Sequence, residues 1–226
     1  MKWWWLVPIL LPLMVLVYWL AAKRTHMTNS VDNEIRRANE FADKIEDLVV
    51  ARRECPTGDR NTPLMAYWSL VFELHRGILC LLSHKFCGAA FALVRPMVEA
   101  TVRAHVVIMG SEEDVRKLRE DEYRTNLATI GTEIDKAFGT DDLFQNFLTN
   151  ARQSLHSYTH AGIAQLGRRF KGTDLLPSYS EAEIDEVIRV STSAAFIVNN
   201  LITKHFGFEN EWKANTELYA EWAKHA

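Results

Sequence analysis

The sequence predicts an all-α fold, a helical bundle of about six or seven helices with an N-terminal transmembrane helix. Three observations carry this. Apolar residues recur at three- and four-residue spacing through most of the chain, and no run alternates with period two between hairpin turns. Helix-ending and helix-starting residues punctuate that pattern at intervals of one helix length. Residues 3–22 contain no charge, and about 20 apolar residues suffice to span a bilayer.

Taken in order, Trp3, Trp4 and Trp5 open the uncharged run and Tyr18 and Trp19 stand near its end, matching the aromatic belts of a membrane-spanning helix. Lys2 precedes the run, whereas Lys23, Arg24, Arg36 and Arg37 follow it. The heavier positive side places the body in the cytoplasm, on a single-pass helix in the inner (cytoplasmic) membrane. Signal-peptide cleavage reads poorly, because cutting after Ala22 puts Leu20 at −3 and cutting after Ala21 puts Trp19 there. A second start, at Met27, would give a chain without the run. The expected domains are therefore an anchor over 1–26 and a helical bundle over 27–226.

Ile35, Ala38, Phe41, Ala42, Ile45, Leu48 and Val49 predict a first bundle helix over 31–53. Residues 55–63 hold two prolines and a glycine, a loop. An apolar helix follows over 64–83, and a third over 85–109 that is apolar on most sides and so is expected at the centre of the bundle. Pro96 should kink it. Ser111-Glu112-Glu113-Asp114 predicts the start of a charged fourth helix running to about Phe138. Gly139-Thr140-Asp141 breaks the chain, and a fifth helix is expected over 142–160. Gly162, Gly167 and Gly172 then weaken the helical pattern. Ser180-Glu181-Ala182-Glu183 predicts a sixth helix ending before Gly207, and residues 209–226 an amphipathic last one.

Composition narrows the function classes. The 226 residues are 48% hydrophobic and 24% charged, with a formal net charge of −3, which does not point to a nucleic-acid binder. Cys55, Cys80 and Cys87 form no CxxC and are odd in number, so neither a disulfide framework nor a zinc knuckle is suggested. No Gly-rich phosphate loop occurs. No cofactor is expected.

Three constellations could carry chemistry. Arg95, Glu99 and Arg103 repeat every four residues and share one face of the third helix. Read structurally, they are an internal Arg–Glu–Arg ladder that fixes helix packing. Read functionally, an arginine binds an anion such as phosphate or carboxylate while Glu99 orients it. The second is Ser154-Leu155-His156-Ser157-Tyr158-Thr159-His160, in which His156 and His160 stand one helical turn apart. That spacing suits two ligands to one metal, but a third ligand and the Glu-x-x-His of di-iron bundles are missing, so no metal site is expected. The pair could instead satisfy the last carbonyls of a helix. It could also serve as general base or phosphate donor beside Tyr158. The third is Arg168-Arg169-Phe170-Lys171, either a solvated loop or a contact for RNA phosphates and bases.

Arg95-Pro96-x-x-Glu99 and Leu155-His156-Ser157-Tyr158-Thr159-His160 with its trailing glycine resemble a family of bacterial all-helical proteins of unknown function, over roughly residues 28 to 205. The resemblance supplies no activity, but implies that the arginine–glutamate helix and the histidine helix meet in space. More distantly, the chain is similar to HEPN-type helical bundles, many of them RNases of toxin–antitoxin and antiphage systems. Their arginine is followed after four to six residues by a histidine. Here three residues separate Arg152 from His156, and seven separate it from His160.

The expectation is a membrane-tethered binding or scaffold module, with a polar cleft between the Arg95/Glu99 helix and the His156/His160 helix. Arg95, Glu99, Arg103 and Tyr158 would hold the ligand. Its partners would be the membrane, through the N-terminal helix, and a second copy of the chain in a homodimer. The alternative is a HEPN-like RNase in which Arg152, His156 and His160 are catalytic and RNA is the partner.

Overall fold

The computed structural model describes residues 30–51, 57–123 and 162–224, together with residues 131, 132, 135, 136 and 145. The expected anchor over 3–22, the expected fifth helix except for residue 145, and Arg152, His156, Tyr158 and His160 lie outside the described residues. Seven helices are described: α1 over 30–50, α2 (Asn61–Ser83), α3 (Cys87–Met109), α4 (Glu112–Arg119), α5 (Ile163–Gly167), α6 (Glu181–His205) and α7 (Glu209–Ala223). The only β-type pairing among the described residues is an isolated bridge between Lys171 and Asp174.

The core is formed by α2, α3 and α6, each packed against the other two, with α1 and α7 on its flank. α1 buries Ile35, Ala38, Phe41, Ala42, Ile45 and Val49 of the predicted stripe, adds Val31, and leaves Leu48 half-buried. Phe41 meets Tyr219 and Trp222 of α7 at ring-centroid distances of 6.1 and 5.8 Å. Among the described residues, α2 alone is long and apolar enough to cross a membrane. It buries Leu64, Trp68, Val71, Phe72, Ile78, Leu79 and Leu82 against its neighbours, which makes it a core helix of the bundle.

The centre of the bundle differs from expectation. α3 is largely buried, but α6 is buried on all sides from Ser191 to Thr203. Six polar residues lie within that stretch, Ser191, Thr192, Ser193, Asn199, Asn200 and Thr203. They dilute the apolar pattern that marks a central helix, and internal hydrogen bonds offset the burial of several of them, though not of Thr192 Oγ1 or Asn200 Oδ1. Asn199 accepts from the Trp68 indole N–H (2.9 Å) and donates to the Ile45 carbonyl (2.9 Å) and to the Asn215 side chain (3.3 Å). One side chain thereby links α1, α2, α6 and α7. Ser193 shares a 2.8 Å hydrogen bond with the Tyr219 hydroxyl, and Thr203 donates back to the Asn199 carbonyl.

Helix boundaries follow local chemistry. Ser111 and Ser180 each close a capping box, with Asp114 and Glu183. Gly207 ends α6 at φ +69°, with the Phe208 N–H returning to the Thr203 carbonyl. The fourth helix ends at Arg119, far short of Phe138. Asp121 takes φ +56°, and the Glu122 N–H folds back to the Lys117 carbonyl, the left-handed termination more often made by glycine. Lys85 does the same after α2, at φ +64°. α3 runs through Pro96 as one helix. Its C-terminus is held by Arg60, which donates to the carbonyls of Val107 (2.6 Å) and Gly110 (3.0 Å) and pairs with Glu112 at 2.6 Å.

Candidate functional site

One lane of α3 gathers the polar side chains that its buried faces exclude. Gly88, Phe91, Arg95, Glu99 and Arg103 follow one another at three- and four-residue spacing, a single stripe of the helix. Phe91, Arg95, Glu99 and Arg103 are half-buried, between the sealed core and solvent.

The ladder expected on this stripe is only partly formed. Arg95 Nε donates to Glu99 Oε1 at 2.8 Å, and each side chain keeps about a quarter of its surface exposed (27% and 26%). This is a half-buried pair within one helix, not a buried triad. Arg103 does not complete it. Its guanidinium lies instead beside Tyr67 of α2, with Asp121 close enough to act on the same phenol. Burial raises the Tyr67 pKa, and the neighbouring Arg103 charge opposes that without reversing it. The guanidinium hydrogen-bonds the Tyr67 side chain, while its Nε is buried and makes no hydrogen bond among the described residues.

The N-terminal end of the lane is closed by the segment after α5. A side chain at position 88 would meet the Arg169 guanidinium and the Tyr179 hydroxyl, each at 2.9 Å, so the glycine admits their approach. Gln165 donates to the Gly88 carbonyl at 3.2 Å, and Phe91 and Tyr179 pack with ring centroids 5.1 Å apart. This bears on the run Arg168-Arg169-Phe170-Lys171. Arg168 is held by Glu183 at the start of α6, and Arg169 is drawn against α3, while Phe170 and Lys171 are exposed. The run is therefore part of a docked segment, and its cations are not all available to a ligand.

Three buried groups were not picked out as functional from the sequence. His105, on α3 just beyond Arg103, is 4% exposed. Asp135, also 4% exposed, accepts the Gln145 backbone N–H at 2.7 Å. A third, His75 on α2, is completely buried, and neither ring nitrogen makes a well-formed hydrogen bond. The Ala38 backbone near it only weakly opposes the desolvation that lowers its pKa to about 4. It is a neutral core residue at physiological pH. Among the described residues no group of three or more His, Cys, Asp or Glu could hold a metal ion.

A family model described as "Family of unknown function (DUF6988)" matches residues 68–225. The match begins within α2 and reaches the end of α7, so it leaves α1 outside and extends past the expected limit at 205. It includes the whole lane on α3 and the His156/His160 segment. No curated protein and no solved structure matches the chain, so the similarity to HEPN bundles is not shown.

Proposed function

The chain belongs to the DUF6988 family, a family of unknown function, and on that footing we propose that it is a membrane-tethered binding module whose polar lane holds an anionic ligand. The observation that carries this is the Arg103 guanidinium, buried at Nε without a hydrogen-bond partner, one turn from the Arg95–Glu99 pair. The Tyr67 side chain meets part of this guanidinium but carries no charge, whereas a phosphate or carboxylate would add an acceptor of complementary charge. Glu99 orients Arg95, and Tyr67 adds a hydroxyl on the facing helix. In this reading the other wall of the cleft would come from the His156/His160 segment with Tyr158, which lies outside the described residues. The uncharged run over 3–22 tethers the body to the cytoplasmic membrane, with the bundle in the cytoplasm. A homodimer is compatible with such a module.

The second reading is a HEPN-like RNase. The histidine pair four residues apart, preceded by Arg152, favours it as an acid–base set acting on the RNA 2′-hydroxyl. One experiment separates the two. The full chain in detergent is heated with inorganic phosphate or with chloride at equal ionic strength, and incubated in parallel with a quenched fluorescent RNA. A phosphate-specific rise in melting midpoint that Arg103→Gln abolishes, without RNA cleavage, supports the binding module. Cleavage that the double variant His156→Ala/His160→Ala abolishes supports the RNase and overturns the first reading. Neither response contradicts both.

A further inference from the structure

One end of the bundle carries apolar side chains that the fold does not cover. Phe86 (61% exposed), Ile163 (83%), Leu166 (54%), Phe170 (54%), Leu175 (73%) and Leu176 (53%) stand there. Exposed apolar residues gathered at one end of a fold mark an interaction surface. Their common location follows from contacts. Gln165, Arg169 and Tyr179 all reach Gly88 in the first turn of α3. Phe86 immediately precedes that helix. Lys85, next to Phe86, pairs with Asp32 in the first turn of α1 at 3.3 Å. The start of α1, the turn between α2 and α3, and the 163–179 segment therefore share one end. Met109, exposed at the C-terminus of α3, is at the other.

The start of α1 is also where the uncharged run leads in. Seven residues, 23–29, separate Ala22 from the first residue of α1. Fully extended, they span at most about 25 Å. A bundle on so short a tether holds this end within reach of the bilayer from which the run emerges. The patch has the composition of a surface that enters the headgroup boundary: two phenylalanines and four aliphatic residues, with exposed Lys171 among them and Lys23 and Arg24 in the tether.

We propose that the 163–176 segment and Phe86 rest in the headgroup region of the bilayer, so that the bundle is docked on the membrane in one orientation rather than suspended from it. The inference rests on reading residues 3–22 as the anchor. The docked segment also closes the N-terminal end of the polar lane, so this orientation would place that end of the lane at the lipid surface and leave the Arg103 end facing away from it.

The test uses the full chain in phosphatidylcholine vesicles, with Cys55 and Cys80 changed to Ser and the buried Cys87 kept. An environment-sensitive NBD label is placed at L175C or, as the far-end control, at M109C. Blue-shifted emission at 175, quenched several-fold by doxyl lipids, with water-like emission at 109, is the expected result. Equal, water-like emission at both sites while the chain stays with the vesicles would overturn the docking and leave the anchor standing. Blue-shifted emission at 175 without lipid quenching would show protein covering the patch, a second copy of the chain included, and would also overturn it. A chain that does not float with vesicles at all would remove the anchor and this inference together.

Discussion

Burial of His75 makes the stability of this bundle depend on acid in a way that one residue should control. The imidazole has no exposed surface and a pKa lowered to about 4, chiefly by desolvation. In the unfolded chain it titrates near the ordinary value of about 6.5. Above that value neither state holds the proton, and the group contributes no pH dependence. Between about 6.5 and about 4 the unfolded chain binds a proton that the folded chain refuses, so stability falls as pH falls, by about 1.4 kcal/mol per unit. Over the whole window the loss is roughly 3 kcal/mol, and between pH 7 and pH 5 about 2 kcal/mol. The quantity to read is the difference between the parent and a variant that lacks this one group. Urea unfolding of the detergent-solubilised chain is compared with His75→Met at pH 7, 6 and 5. Methionine fills the site without a titrating group, at a cost at pH 7 set by packing alone. The variant should gain on the parent by about 2 kcal/mol as pH falls to 5. Parallel curves for the two proteins would show that His75 is not held neutral by burial, and would refute the reasoning.

Three further outcomes follow from the packing. Asn199→Leu strands the Trp68 indole N–H and the Asn215 Oδ1 in the interior, while the Ile45 carbonyl stays within α1, and at about 1–3 kcal/mol per stranded group should cost about 2 kcal/mol or more in equilibrium unfolding. Glu99→Ala removes one half-buried ion pair from a helix whose Arg95 keeps other interactions, so its cost should be about 1 kcal/mol, well short of the value for breaking a buried triad, as a thermal melt would show. Lys85→Gly relieves a left-handed backbone at φ +64° and loses only an exposed pair to Asp32, and should raise stability by about 0.5–1 kcal/mol in the same melt.

Much of the fold was legible in the sequence where local chemistry decides it. The stripe from Ile35 to Val49, the loop before α2, and the Ser180 and Gly207 boundaries of α6 are fixed by periodicity, capping and left-handed termination within a few residues. What was not legible depends on distant partners. Six polar residues between Ser191 and Thr203 disguise α6 as an ordinary helix until Trp68, Ile45, Asn215 and Tyr219 are seen to satisfy several of them. The early end of α4 turns on Asp121 adopting a left-handed conformation with no glycine there to announce it. The stripe Arg95–Glu99–Arg103 was read correctly as one face, but the direction of Arg103 was not, because Tyr67 approaches it from another helix. Arg60, which holds the end of α3, gave no signal at all, since its partners lie 47 to 52 residues away in the chain.

The central claim is that the lane on α3 and the histidine segment face each other across one cleft. A double-mutant cycle between Glu99→Gln and His160→Ala, read by chemical denaturation of the full chain, tests it most directly. A carboxylate and an imidazole within hydrogen-bond reach should give a coupling energy of about 1 kcal/mol or more, larger at pH 6 than at pH 8, because the protonated ring pairs with the acid. Free energies that add to within about 0.3–0.5 kcal/mol at both pH values would place the two residues in separate surroundings and contradict the cleft.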